Sequence, residues 1–171
     1  MASKAPRPNW RDRAFVVRTY DFGEADRIIV LLTRYHGLVR GVAKGVRRAK
    51  SRFGSRLQLF VNLDVQLYPG RNLYTISQAD TVDYFGARII EDYDRYTAAC
   101  AALESAERLA VADPGGDPYL YEACVDVLTQ LQQGDPMQLL DAFLLRAMAH
   151  AGWAPSLFDC AQCQRPGPHH A

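Results

Sequence analysis

Residues 57–67 read LQLFVNLDVQL, and their alternation decides the fold class. Leu57, Leu59, Val61, Leu63, Val65 and Leu67 fall on one side of a period of two, with Gln58, Phe60, Asn62, Asp64 and Gln66 on the other. A helix would scatter these positions around its axis. An extended chain points successive side chains to opposite faces, so the stretch predicts a strand with one buried face. Working outward, residues 15–20 are a short β-rich run and Asp21-Phe22-Gly23-Glu24 is turn sequence. Residues 27–33, with Ile28, Ile29, Val30, Leu31 and Leu32, predict a largely buried strand. Tyr35-His36-Gly37 turns the chain into a third strand at residues 38–44. Beyond the opening stretch, Pro69-Gly70-Arg71-Asn72 is turn chemistry leading into a strand at residues 73–79. Five short strands between residues 14 and 79, with no helical periodicity among them, fit a small closed or nearly closed barrel of the OB-fold kind.

After residue 83 the pattern changes. Residues 85–110 are rich in alanine and charge, with Ile89, Tyr93, Tyr96, Cys100, Leu103 and Leu109 at spacings of three, four or six, which predicts one long or broken amphipathic helix. Asp113-Pro114-Gly115-Gly116 ends it. Asp117-Pro118 and Asp135-Pro136 each place an N-cap before a proline at the first helical position, predicting helices over residues 118–132 and 136–151. Gly152 stops the second, with Pro155 just beyond. The fold class is therefore α+β and multidomain: a five-stranded OB-fold barrel domain over residues 1–82, an α-helical domain over 83–158, and a Cys-x-x-Cys segment over 159–171 with the spacing of half a zinc knuckle. No stretch approaches the ~18 apolar residues of a membrane span, and the N-terminus lacks an apolar signal core. A soluble intracellular protein is expected, whose four cysteines are thiols or metal ligands rather than disulfides.

The formal net charge of +1 conceals an asymmetry. Residues 1–85 carry 15 Lys and Arg against 7 Asp and Glu, so +8, and residues 86–171 carry 5 against 12, so −7. Such a split points to a polyanion-binding module joined to something that is not one. The basic charge is densest at residues 34–56, where Arg34, Arg40, Lys44, Arg47, Arg48, Lys50, Arg52 and Arg56 occur without an acidic residue among them. A solvated surface normally mixes signs, so this run reads as a phosphate-contacting track. Gly41, Gly45 and Gly54 would let backbone approach a ligand, and Ser51 and Ser55 could donate to phosphate oxygens. OB-folds bind through the face of strands 2 and 3 and the loops after strands 1 and 4, so a basic stretch between strands 3 and 4 would extend that groove.

Single strands are also held by stacking of bases on aromatic rings. Tyr20, Phe22, Tyr35, Phe53, Phe60, Tyr68 and Tyr74 are available, either for stacking or as packing residues of the barrel. Tyr35, Phe53, Phe60 and Tyr74 are the stacking candidates, Phe60 because it interrupts the polar face of its strand. Cys160 and Cys163 have the spacing of two ligands of a tetrahedral zinc site. His169 and His170 are the nearest further ligands, with a gap short for a structural site. Cys100 and Cys124 fit helix packing. The carboxylate pairs Glu24/Asp26 and Asp92/Asp94 could hold a nuclease metal but suit caps and solvated charge better. No phosphate-binding loop, nucleophile elbow or metalloprotease helix is present, so no enzyme activity is expected.

Several phrases occur together in the order of one family. Glu24-Ala25-Asp26-Arg27-Ile28-Ile29-Val30 with Thr33 and Gly37, then Val42-Ala43-Lys44-Gly45-Val46-Arg47-Arg48 with Ser51-Arg52-Phe53, resembles the N-terminal domain of the RecO family of recombination mediators. Phe143-Leu144-Leu145-Arg146, Gly152, Pro155 and Cys160-Ala161-Gln162-Cys163 resembles that family's later helix running into its zinc knuckle. The resemblance implies a non-catalytic protein that binds single- and double-stranded DNA and anneals complementary strands. It also implies help in loading RecA onto DNA coated by single-strand-binding protein, together with RecR. Arg40, Lys44, Arg47, Arg48 and Arg52 match the family's basic block. The acidic tail of single-strand-binding protein is expected on the helical half, and a cytoplasmic, nucleoid-associated location follows, with no membrane partner. The chain departs from the pattern at Gln164, where a glycine often follows the second cysteine, and it stops before a second ligand pair and the closing helices. The expectation is either that this is a piece of a longer chain or that those residues are absent. Zinc is expected in that longer chain and is not expected to be held tightly by this one. An RNA-binding OB-fold protein is the alternative, since no residue reports on the ribose 2′-hydroxyl.

Overall fold

The structure, a computed structural model, describes residues 8–112 and 116–167. Five strands, β1 (Trp10–Phe22), β2 (Asp26–Thr33), β3 (Leu38–Ala43), β4 (Val61–Pro69) and β5 (Tyr74–Tyr84), close into a barrel in the order β1-β2-β3-β5-β4. Every pairing is antiparallel except β3 with β5, a parallel contact made by only Gly41 with Tyr74 and Val42 with Thr75. That is the OB-fold expected from the alternation. A side chain on Gly41 would begin 2.8 Å from the Ile76 Cγ1, so only glycine lets the barrel wall narrow at this junction. Four helices follow: α1 (Gly86–Ile89), α2 (Tyr93–Ala112), α3 (Pro118–Gln130) and α4 (Pro136–Met148), then a wide turn over Ala149–Trp153 in which Gly152 takes φ +93°. Asp117 and Asp135 cap α3 and α4 as the sequence predicts, accepting from the Tyr119 and Gln138 backbone N–H groups. The turn expected at residues 113–115 lies outside the described residues.

The molecule has two cores. Ala14, Val16, Ile29, Leu31, Val39, Leu63, Val65, Leu67 and Ile76 fill the barrel. Phe15, Val17, Val30 and Leu32, on the opposite face of β1 and β2, pack outward with α2, α3 and α4. This explains why β2 is apolar without interruption: it is covered on both faces. A β-bulge between Val16 and Arg18 shifts the register, so that Val17 faces the helices and Arg18, opposite Val30, reaches Glu107 of α2.

Two expectations are corrected here. The alternating stretch does not extend to residue 57, because the strand begins at Val61. Phe60 has φ +65°, a left-handed conformation that breaks the strand before it starts. Its ring turns into the helical core, edge-on to Tyr96 with centroids 5.8 Å apart. The second correction concerns α2, which buries Ala98, Ala99, Ala102, Leu103, Ala106 and Ala110, while Tyr93 stays 80% exposed and Tyr96 41% exposed. A central helix crowded by the barrel, α3 and α4 needs small side chains on its contact face, so the alanines are the seam.

Candidate nucleic-acid interface

From Lys44 onward the basic run forms a cap on one end of the barrel. Residues 44–60 make successive tight turns, with backbone bonds from Arg48 to Gly45, Ser51 to Arg48, Gly54 to Ser51 and Arg56 to Phe53. Three features fix this loop. Gly45, at φ +68°, donates its N–H to Asp26 Oδ1 at 2.7 Å, and Arg47 N–H donates to the Ala25 carbonyl at 3.0 Å, tying the loop to the β1–β2 hairpin. Phe53 and Leu57 insert into the barrel core. The cations around these anchors are exposed on a backbone held by those contacts, so their meeting a ligand costs side-chain rotamer entropy but little ordering of the loop itself.

The eight basic residues separate by partner. Arg40, Lys44, Arg48 and Lys50 are exposed and have no acidic partner among the described residues. Arg47 approaches Asp21 at 3.6 Å, but Asp21 is already bonded to Arg27 at 2.9 Å, a contact that holds its carboxyl below the usual range. Arg52 lies over the Phe53 ring at 4.7 Å and donates to the Ile76 carbonyl at 3.4 Å, and Arg56 donates to the Arg52 carbonyl at 3.2 Å. These two brace the loop along β5 while leaving their charge exposed. Arg34 does not belong to the track. It pairs with Glu122 of α3 at 2.5 Å and lies 6.0 Å over the Tyr121 ring, so it is a clasp between barrel and helices.

The stacking candidates fare differently. Phe53 and Phe60 are 1% and 3% exposed and offer no ring face to a base. Buried anchoring of the loop and left-handed backbone, respectively, account for this. Tyr74 is half-buried, edge-on to Trp10 at 5.4 Å. Tyr35 is 57% exposed, but it sits in the β2–β3 turn, at the other end of those strands from Lys44. The six residues of β3 separate the two ends, about 20 Å at ~3.3 Å per residue. The turn holding Tyr35 is organised by Asp12, a buried carboxylate that accepts from Tyr35 N–H at 2.9 Å and lies 2.7 Å from His36 Nδ1. Trp10 stacks on His36 at 3.9 Å. Sequence reading placed His36 in a turn and passed over Asp12, whose one signal was a lone acid between Arg11 and Arg13.

One member of each carboxylate pair considered for a nuclease is bonded to backbone: Asp26 accepts from Gly45 N–H at 2.7 Å and Asp92 from Arg95 N–H at 2.9 Å. Cys160 and Cys163 lie on a turn closed by Gln164 N–H donating to the Cys160 carbonyl at 2.8 Å, with Gln164 at φ +57°. That left-handed position is the one glycine would occupy without strain. The backbone N–H groups of Cys163 and Gln162, with the Cys163 side chain, hold the Cys160 thiol below its ordinary range. The turn thus suits two thiolate ligands, yet a structural zinc takes four. The described residues hold no group of three or more His, Cys, Asp or Glu able to bind a metal, and His169 and His170 lie outside them. No helix among the described residues is long and apolar enough to cross a membrane.

A closed OB-fold barrel carrying a loop of exposed cations, backed by acidic helices, defines a polyanion-binding protein of the barrel-plus-helix class. Two family models account for both halves: the one described as recombination protein O N terminal matches residues 7–85, and the one described as recombination protein O C terminal matches residues 90–171. The chain belongs to the recombination protein O family, and so to the mediators of DNA recombination and repair.

Proposed function

We propose that this protein binds single- and double-stranded DNA without reading sequence, anneals complementary single strands, and assists RecA loading onto strands coated by single-strand-binding protein, in partnership with RecR. The observation that carries the reading is the set Arg40, Lys44, Arg48 and Lys50, exposed on an ordered surface with no acidic partner among the described residues. Two DNA strands repel through their phosphates. A surface that neutralises some of that charge lowers the barrier to their approach and leaves base edges free to pair. Annealing by this route needs no catalytic group.

The test is the salt dependence of single-strand binding by the Lys44→Ala/Arg47→Ala/Arg48→Ala variant. Loss of three phosphate contacts makes the log-log slope shallower by roughly 0.7 × 3, about 2 units, and annealing falls in step with affinity. An unchanged slope with a lowered melting temperature would mean that the loop serves the barrel alone. Zinc is proposed to be held weakly by this chain, and stoichiometric metal surviving dialysis against a mild chelator would contradict that.

A further inference from the structure

The strand register arranges a second feature beside the cation loop. Residues paired directly across an antiparallel sheet share a face. Tyr20 pairs with Ile28, which pairs with Val42, and Phe22 pairs with Asp26. Val30, opposite Arg18 and Arg40, packs outward against the helices, so all these residues lie on the outer surface of the barrel. The helices cover that surface only as far as Arg18, which Glu107 of α2 holds at 2.8 Å. Beyond it Tyr20 and Phe22, on alternate positions of one strand face, are 45% and 46% exposed, beside half-buried Ile28 and buried Val42. Arg40 follows two residues before Val42 and Lys44 two after it, both on β3 or its end. Two strand spacings, about 10 Å, separate the ring row from the cation row. The acids nearby are largely engaged: Asp21 faces the other side and pairs with Arg27 and Arg47, and Asp26 is bonded to Gly45. Glu24, at the hairpin tip, bounds the patch.

We propose that Tyr20 and Phe22 are the base-stacking residues of this surface, holding two bases of a single strand while Arg40, Lys44 and Arg48 take its phosphates. The occupant is a single-stranded polynucleotide because only its unpaired bases present flat apolar faces beside regularly spaced anions. A duplex keeps its bases stacked inside and could use the cations alone. This assignment rests on the DNA-binding reading above and adds the groups that distinguish a single strand from a generic polyanion.

The experiment compares binding of the full chain to an oligothymidylate and to an abasic strand of equal length. Tyr20→Ala/Phe22→Ala should lose at least about fivefold in affinity for the base-bearing strand, the lower end for one lost stack, with its salt slope unchanged. Its affinity for the abasic strand should equal that of the unaltered protein. Tyr20→Phe and Phe22→Tyr, which keep the rings, should bind as the unaltered protein does. An equal loss on both strands, or a loss in Tyr20→Phe matching that of the alanine variant, would overturn the assignment in favour of a structural role beside Arg18. Full affinity in the double alanine variant, with the cation-loop variant still shallower in slope, would overturn stacking here and leave the DNA-binding reading standing. Failure of the unaltered protein to bind either strand would remove both.

Discussion

In the cap over residues 44–60, Lys44, Arg48 and Lys50 stand without acidic neighbours on a backbone pinned by Phe53 and Leu57. In the helical half three arginines are used internally: Arg95 donates to the Leu131 carbonyl at the end of α3, Arg108 pairs with Glu104, and Arg146 approaches Asp126. Cations of the second kind have their counter-charge within the fold, and those of the first kind have been left for something outside it. An ordered surface of uncompensated like charge costs folding stability through self-repulsion. A cluster of such charge on one surface suits a polyanion ligand.

The largest expected effect asks whether the two halves are separable at all. Phe15 is fully buried on the outward face of β1, 5.5 Å from Tyr121 and 6.0 Å from Phe85 between ring centroids. Phe15→Ala should cost about 3–5 kcal/mol and lower the unfolding of barrel and helices together, as one calorimetric transition. Two transitions, only one of them shifted, would break the picture of a shared core. Next in size is the polar link across the same seam, where buried Tyr121 donates its hydroxyl to buried Asn62 Oδ1 at 2.8 Å. Tyr121→Phe leaves that oxygen unpaired and should cost about 1–3 kcal/mol in a denaturant titration, without altering the salt slope of DNA binding.

A sharper contrast compares two arginines of the basic run. Arg48→Ala should reduce the salt slope by about 0.7 and leave the melting temperature unchanged. Arg34→Ala should leave the slope unchanged and lower stability by under about 1 kcal/mol, since its partner Glu122 is itself half exposed. A reversed pattern would mean that sequence density, not pairing, marks the DNA track. Arg108→Ala, on the exposed face of α2, should change neither quantity. The smallest effect concerns the cysteines. With its pKa lowered by its own turn, Cys160 should be alkylated in the native protein at neutral pH. Cys124, fully buried with its thiol pushed up to about 12, should react only after unfolding, which mass spectrometry of the labelled peptides would read.

The barrel, the helix caps at Asp117 and Asp135 and the location of the cation run were legible in the sequence because each depends on neighbours a few positions apart. Alternation reports a strand, an Asp-Pro step reports an N-terminus, and a run of arginines and lysines reports a field whatever the fold. The stacking rings were legible only as a pool of aromatics that included Tyr20 and Phe22 along with residues now seen to be buried. Ranking that pool requires knowing which face each strand presents, and a single bulge at Val16/Arg18 redirects everything after it.

By itself the sequence determined the order and kind of the elements, the opposite charges of the two halves and the likeness to recombination mediators. The tertiary structure alone decided that Phe60 belongs to the helical core, that α2 packs through its alanines, that Arg34 is spent on Glu122, and that Phe53 anchors the loop rather than a base. Each of those outcomes is set by a partner far along the chain. Periodicity and charge density are sums over neighbours, and they carry no information about which distant surface a side chain will meet.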